Sequence, residues 1–170
     1  MQLCMRREQS DDISDNWLLQ FINVEVLREV GQLVLMNSEG DDPEFAVLKK
    51  GFYNPTLRMK YKHSATNIRL TQPGASLFPE EKVQNEVAVM RYILDKTPIP
   101  VPFIHQFDSK EKSPLKLSSY IMMDYIEHDT KMHEALNYPG CPTEKRGHLD
   151  PNLDEGRLET LYGQAAGILL

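Results

Sequence analysis

The sequence predicts an α+β fold, and three observations carry that prediction. The hydrophobic period changes from helical to alternating near residue 45, returns to helical at residue 79, and then gives way to a row of prolines ahead of two short apolar runs. In order, these give a helical extension, three strands, a helix, two strands, a linker and a last helix.

From Ser14 to about Leu35, Trp17, Leu18, Phe21, Ile22, Leu27, Val30 and Val34 share one face, which predicts a helix after an acidic start. "NSEGDDPEF" supplies Gly40, Pro43 and acidic turn formers, and closes an N-terminal extension over residues 1–44. "FAVLKK" is a short apolar run, and "TLRMKYK" and "NIRLT" alternate apolar with polar residues. The compact links "KGFYNP" and "HSAT" make the three an antiparallel meander.

Pro79 and two glutamates then start a helix whose apolar stripe is Val83, Val87, Met90 and Leu94. Pro98, Pro100 and Pro102 cannot be helical and predict an extended connector. "FIHQF" and "YIMMDYI" follow as strands, and the strand region closes at residue 126. Residues 127–170 are a linker and an amphipathic helix, "GRLETLYGQAAGILL", whose face carries Leu158, Leu161, Ala165 and Leu169.

Glu86 lies within the apolar stripe of the helix that Pro79 starts. A carboxylate turned toward a core is costly unless a cation meets it. Arg69 projects from the third strand on the face opposite to Ile68 and Leu70, and is the cation predicted to meet it.

Composition narrows the function. The chain has 170 residues, 41% hydrophobic and 26% charged, enough for a buried core. Its net charge is −6 with basic and acidic residues interleaved, so no stripe suited to a nucleic acid backbone is present. No apolar run approaches the roughly 18 residues that span a bilayer, so no membrane partner is expected. Cys4 and Cys141 lack metal-ligand spacing and fit free thiols in a reducing compartment, cytoplasmic or nuclear. The five histidines show no metal-binding spacing either.

The pieces "KKGFYNPTLRMKY", "NIRLTQPG", "FPEEKVQNEVAVMRYI", "TPIPVPFIHQFD" and "SYIMMDYIEH" together resemble the N-terminal half of the aminoglycoside-phosphotransferase family in its fungal form, a branch of the protein-kinase-like superfamily. The resemblance covers about Phe45 to Leu170. It implies a kinase-like N-lobe over residues 45–126, a five-stranded antiparallel sheet with one helix, followed by the first helix of a C-lobe.

It further implies ATP as the bound nucleotide and a small-molecule acceptor that the sequence does not identify. Gly51, Phe52 and Asn54 would belong to the loop that covers the phosphates, where a glycine lets backbone N–H groups approach. Arg69 would contact the α- and β-phosphates in place of the usual lysine, paired with Glu86. Met123 would flank the adenine, the backbone carbonyl of Asp124 and the N–H of Ile126 would meet its edge, and Val47 would line the pocket from above.

Three features depart from the pattern. Lys50 stands where related chains often carry a glycine, and Asn67 puts an amide where a small apolar residue would face adenine. The catalytic aspartate and the metal-binding asparagine and aspartate of the superfamily would follow the last helix and are not among these residues. Magnesium is therefore expected only with those residues, and these 170 residues are expected to be inactive by themselves. "HLDPNLD" starts as His-x-Asp at His148 and Asp150, but Glu155 holds the asparagine position, so it predicts a turn and a helix start. The alternative to an enzyme is a kinase-like module that binds a nucleotide or a partner and transfers nothing.

Overall fold

In the computed structural model, residues 12–17, 19, 21, 23–50, 54–128, 136–137 and 150–169 are described, with side chains at all of these except 47–50, 168 and 169. The chain divides into two compact units, Met1–Ile126 and Glu127–Leu170.

In the first unit, residues 12–17 are helical, and a second helix, α1, runs Val24–Met36. The single helix predicted from Ser14 to Leu35 is thus interrupted at Asn23. That residue is extended, and its side chain accepts a hydrogen bond from the Glu25 N–H at 2.9 Å. An asparagine that satisfies one of the free N–H groups of a helix start makes a new start favourable even where the apolar pattern runs on.

The α+β prediction stands at the level of the sheet. Strands β1 (Glu44–Lys50), β2 (Pro55–Lys60), β3 (Ala65–Leu70), β4 (Ile104–Asp108) and β5 (Tyr120–Asp124) form one five-stranded sheet in the order β1-β2-β3-β5-β4, every pair antiparallel. Tyr61 N–H donates to Ser64 O at 2.8 Å and closes the β2–β3 turn. The sequence places "HSAT" wholly in this link, but Ala65 and Thr66 already pair with Lys60 and Met59. Helix α2 (Pro79–Lys96) follows β3, with Pro79 in the first turn, Glu80 and Glu81 beside it and Lys96 in the last, an arrangement that suits the helix dipole.

Alternation along the strands gives the sheet two apolar faces. Leu57, Met59, Ile68, Leu70, Tyr120 and Met122 are buried on one face, covered by Val30 and Val34 of α1 and by Trp17 and Phe21. Trp17 stacks on Phe21 with ring centroids 5.1 Å apart, and its Nε1–H donates to Leu117 O at 3.0 Å. The N-terminal extension is therefore docked on the sheet as its cover. On the other face, Val83 and Val87 of α2 pack with Ile104, Ile121 and Met123. Burying such a side chain stabilises by roughly 1.5–3 kcal/mol, so each helix is held chiefly by its stripe.

The loop from α1 into β1 holds one tight approach. A Cβ built on Gly40 would overlap the ring of Tyr61, whose hydroxyl also pairs with Ser38. Among the described residues no helix is long and apolar enough to cross a membrane.

In the second unit, Asp150 Oδ1 accepts from the Asn152 N–H at 2.9 Å in a turn. Helix α3 (Glu155–Leu169) then starts with Asp154 Oδ2 accepting from the Arg157 N–H at 3.0 Å. The end of "HLDPNLD" is therefore a turn and a helix cap, while His148 lies outside the described residues. Leu158, Leu161 and Ala165 are half-buried, and Tyr162 is exposed.

Candidate functional site

The face of the sheet beneath α2 gathers the polar residues singled out from the sequence. Strand alternation sends Ile68 and Leu70 into the core under α1, which leaves Asn67 and Arg69 on the α2 side. Arg69 Nη2 pairs with Glu86 Oε1 across from β3 to α2. Val83 and Val87 fix the rotation of the helix, and Glu86 then falls at the rim of the stripe, facing the strand. The Arg69 and Glu86 side chains keep 26% and 33% of their exposure, so the pair is shielded but open to a ligand from the side.

Register brings further residues to this face, because antiparallel partners share a side. Thr56 stands opposite Arg69 and Arg58 opposite Asn67, while Asn67 faces Met123 and Arg69 faces Ile121. The Arg58 guanidinium lies 5.0 Å above the ring of Tyr125. Lys82 Nζ donates to Asn54 Oδ1 at 3.3 Å. Lys82 is one helical turn before Glu86, so Asn54, Lys82, Glu86 and Arg69 define one end of the face and Arg58, Asn67, Met123 and Tyr125 the other. Arg58, Lys82 and Tyr125 were not singled out from the sequence. The four-residue interval from Lys82 to Glu86 is the signal that could have found the lysine.

The remaining predicted residues fall variously. Gly51 and Phe52 lie outside the described residues. Met123 is buried at 6% exposure within the cluster under α2, where it supports the face from beneath. Asp124 donates its N–H to Phe103 O at 2.9 Å and Tyr125 donates its own to Ala65 O at 2.8 Å, which fixes the backbone leading to the exposed Ile126. The Asp124 side chain turns the other way and accepts from His105 Nε2 at 2.7 Å. Position 47 is the register partner of Leu57, a residue of the opposite face, and Ala46 is the partner of Arg58. The residue of β1 that register places on the Arg69 side is Ala46. The side chain of Val47 lies outside those described.

A cleft of about 490 Å³ opens on that opposite side, between the end of α1 (Met36 to Glu39) and Ser64, Thr66, His105 and Asp124. Among the described residues no three His, Cys, Asp or Glu side chains gather as metal ligands.

What the Arg69 face can do chemically follows from its groups. A guanidinium held by a carboxylate offers its remaining N–H donors in a fixed plane, which suits the oxygens of a phosphate. Lys82 adds a second positive charge at the same end. Comparison of the chain with family models, with curated proteins and with solved structures finds no match.

Proposed function

We propose that this chain provides the nucleotide-binding lobe of a kinase-like phosphotransferase, similar to the aminoglycoside-phosphotransferase family, in which bound ATP gives its γ-phosphate to a small-molecule acceptor. The observation that carries the reading is the pair between Arg69 on a central strand and Glu86 on the helix that packs against it. Strand order and connections support it. Three antiparallel strands, a helix and two further antiparallel strands are the parts such a lobe requires.

In this reading Arg69 contacts the α- and β-phosphates, and Glu86 holds the guanidinium flat toward them. Lys82, tied to Asn54, anchors the end of the loop that covers them. The backbone of Asp124 and Ile126 meets the adenine edge. In the superfamily the chain resembles, the residues that activate an acceptor hydroxyl and hold magnesium belong to the other lobe, and the work of this lobe is to bind and orient the triphosphate. The two widely separated cysteines accord with the cytoplasm as its place.

A thermal-shift titration with ATP tests the reading. A ligand at a hundred times its dissociation constant stabilises the folded state by about 2.7 kcal/mol, which raises the melting temperature by several degrees. ATP is expected to raise that of the wild-type chain and to raise that of Arg69→Ala by about half as much or less. An equal shift in both would remove Arg69 from the site, and no shift in the folded wild type at millimolar ATP would overturn the assignment.

A further inference from the structure

The cleft of about 490 Å³ at the end of α1 plays no part in the phosphate face, and its volume is that of a small-molecule site. A bulge in β4 builds one wall of it. Ile104 and Phe107 both pack under α2 although two residues separate them, because the pairing with β5 shifts between Ile104 and Gln106. The extra residue is His105, which the bulge turns to the other side, where its Nε2 donates to Asp124 Oδ1 at 2.7 Å. Thr66 is the register partner of Asp124 and lines the cleft beside it.

These groups still offer mainly acceptor capacity. Asp124 keeps its Oδ2, and Glu39 brings a second carboxylate. Asn37 donates Nδ2 to Leu33 O at 2.8 Å and keeps its Oδ1, while the Ser38 hydroxyl donates to Val34 O at 2.6 Å. Thr66 is 4% exposed, and among the described residues its hydroxyl has no hydrogen-bond partner. A polar group so shielded and left unpaired points to a partner that comes from outside the chain. No lysine or arginine lines the cleft.

We infer that the cleft binds a small aliphatic diamine, one ammonium group donating to Glu39 on the α1 wall and the other to Asp124 and Thr66 on the sheet wall. An ammonium group brings three donors and one positive charge, and its hydrogen bonds to carboxylates are of the strong, charge-assisted kind. An anion would meet two carboxylates and no lysine or arginine. A divalent metal fits no better, since among the described residues no three ligating side chains gather. Exposed Met36 at the edge of the cleft gives the methylene chain an apolar surface. The site lies across the sheet from Arg69, and the inference does not depend on the nucleotide reading.

Calorimetric titration of the full chain with putrescine tests this, beside the uncharged diol of the same carbon chain, at neutral pH where both amines are protonated. Saturable one-to-one binding of putrescine is expected, and none of the diol. Asp124→Asn and Glu39→Gln, each checked for an unchanged melting profile, are expected to weaken binding about ten-fold, the loss of one charge-assisted contact. Thr66→Val, which keeps the shape of the side chain, is expected to weaken it about three-fold. Glu81→Gln removes an acid at the start of α2, outside the cleft, and is expected to leave the affinity unchanged. If Glu81→Gln weakens binding as much as the cleft variants do, the amine follows only the net charge of −6 and the inference is overturned. Wild-type affinity in both Asp124→Asn and Glu39→Gln, or no saturation of the folded wild type at millimolar putrescine, would overturn it as well.

Discussion

Arg69 on β3 and Glu86 on α2 form an ion pair that joins the sheet to its helix across the face opposite α1. Partly exposed pairs of this kind contribute little to stability, because water screens them and two long side chains must be ordered. A double-mutant cycle of Arg69→Ala and Glu86→Ala, read by urea unfolding, is therefore expected to give a coupling of about 1 kcal/mol or less. A coupling several times larger would assign the pair a structural role first.

Trp17 is the chain's single tryptophan, and its indole N–H is spent on the Leu117 carbonyl. Replacing it with phenylalanine leaves that buried carbonyl unpaired and is expected to cost about 2 kcal/mol in urea unfolding. Because the indole is 6% exposed, wild-type fluorescence should be blue-shifted and should move red in the same transition as the loss of sheet circular dichroism. A red shift well before that transition would show the N-terminal segment leaving a folded sheet.

The phenol of Tyr120 is pushed up to about 12, by burial first and the Asp108 carboxylate second, with Gln106 opposing. The folded state then keeps a proton that the unfolded chain releases near pH 10. Above that pH the folded form binds more protons than the unfolded one, so stability falls as pH rises from about 10 to about 12, and below pH 10 the contribution is fully present. Urea midpoints measured from pH 9 to 11.5 should drop more steeply for the wild type than for Tyr120→Phe. Parallel curves would assign the alkaline loss to other groups.

Leu115 sits at φ 52° and Lys116 at φ 51°, the left-handed region that disfavours side chains. Leu115 is 58% exposed, so little packing is lost on removing it. Leu115→Gly should relieve the backbone and stabilise by about 0.5–1 kcal/mol. A lower melting temperature in this variant would mean that the exposed leucine makes a contact that outweighs the strain.

How far the sequence revealed this arrangement differs from residue to residue. The Arg69 and Glu86 pair was legible because each breaks a pattern: a charge inside an apolar helical stripe and a cation on the polar side of an alternating strand. The interruption at Asn23 was not, since the apolar period continues through it and only the cap hydrogen bond divides the helix. Alternation of Ile68 and Leu70 announced a buried face, but a pattern of period two does not say what covers it, and the cover proved to be Trp17, Phe21 and α1. The phase of β1 was not legible either, since a short apolar run does not show it, and the pairing of Ala46 with Arg58 and a bulge before Lys49 set its register.

The most direct test of the account is the affinity of the wild-type chain for ATP by isothermal titration calorimetry, beside Arg69→Ala. The account predicts saturable one-to-one binding that weakens roughly ten-fold or more when the guanidinium is removed, as expected for loss of a charge-assisted contact. Binding of equal strength in both proteins, or none to a folded wild-type chain, would contradict the claim that Arg69 and Glu86 form the phosphate-holding pair of a nucleotide site.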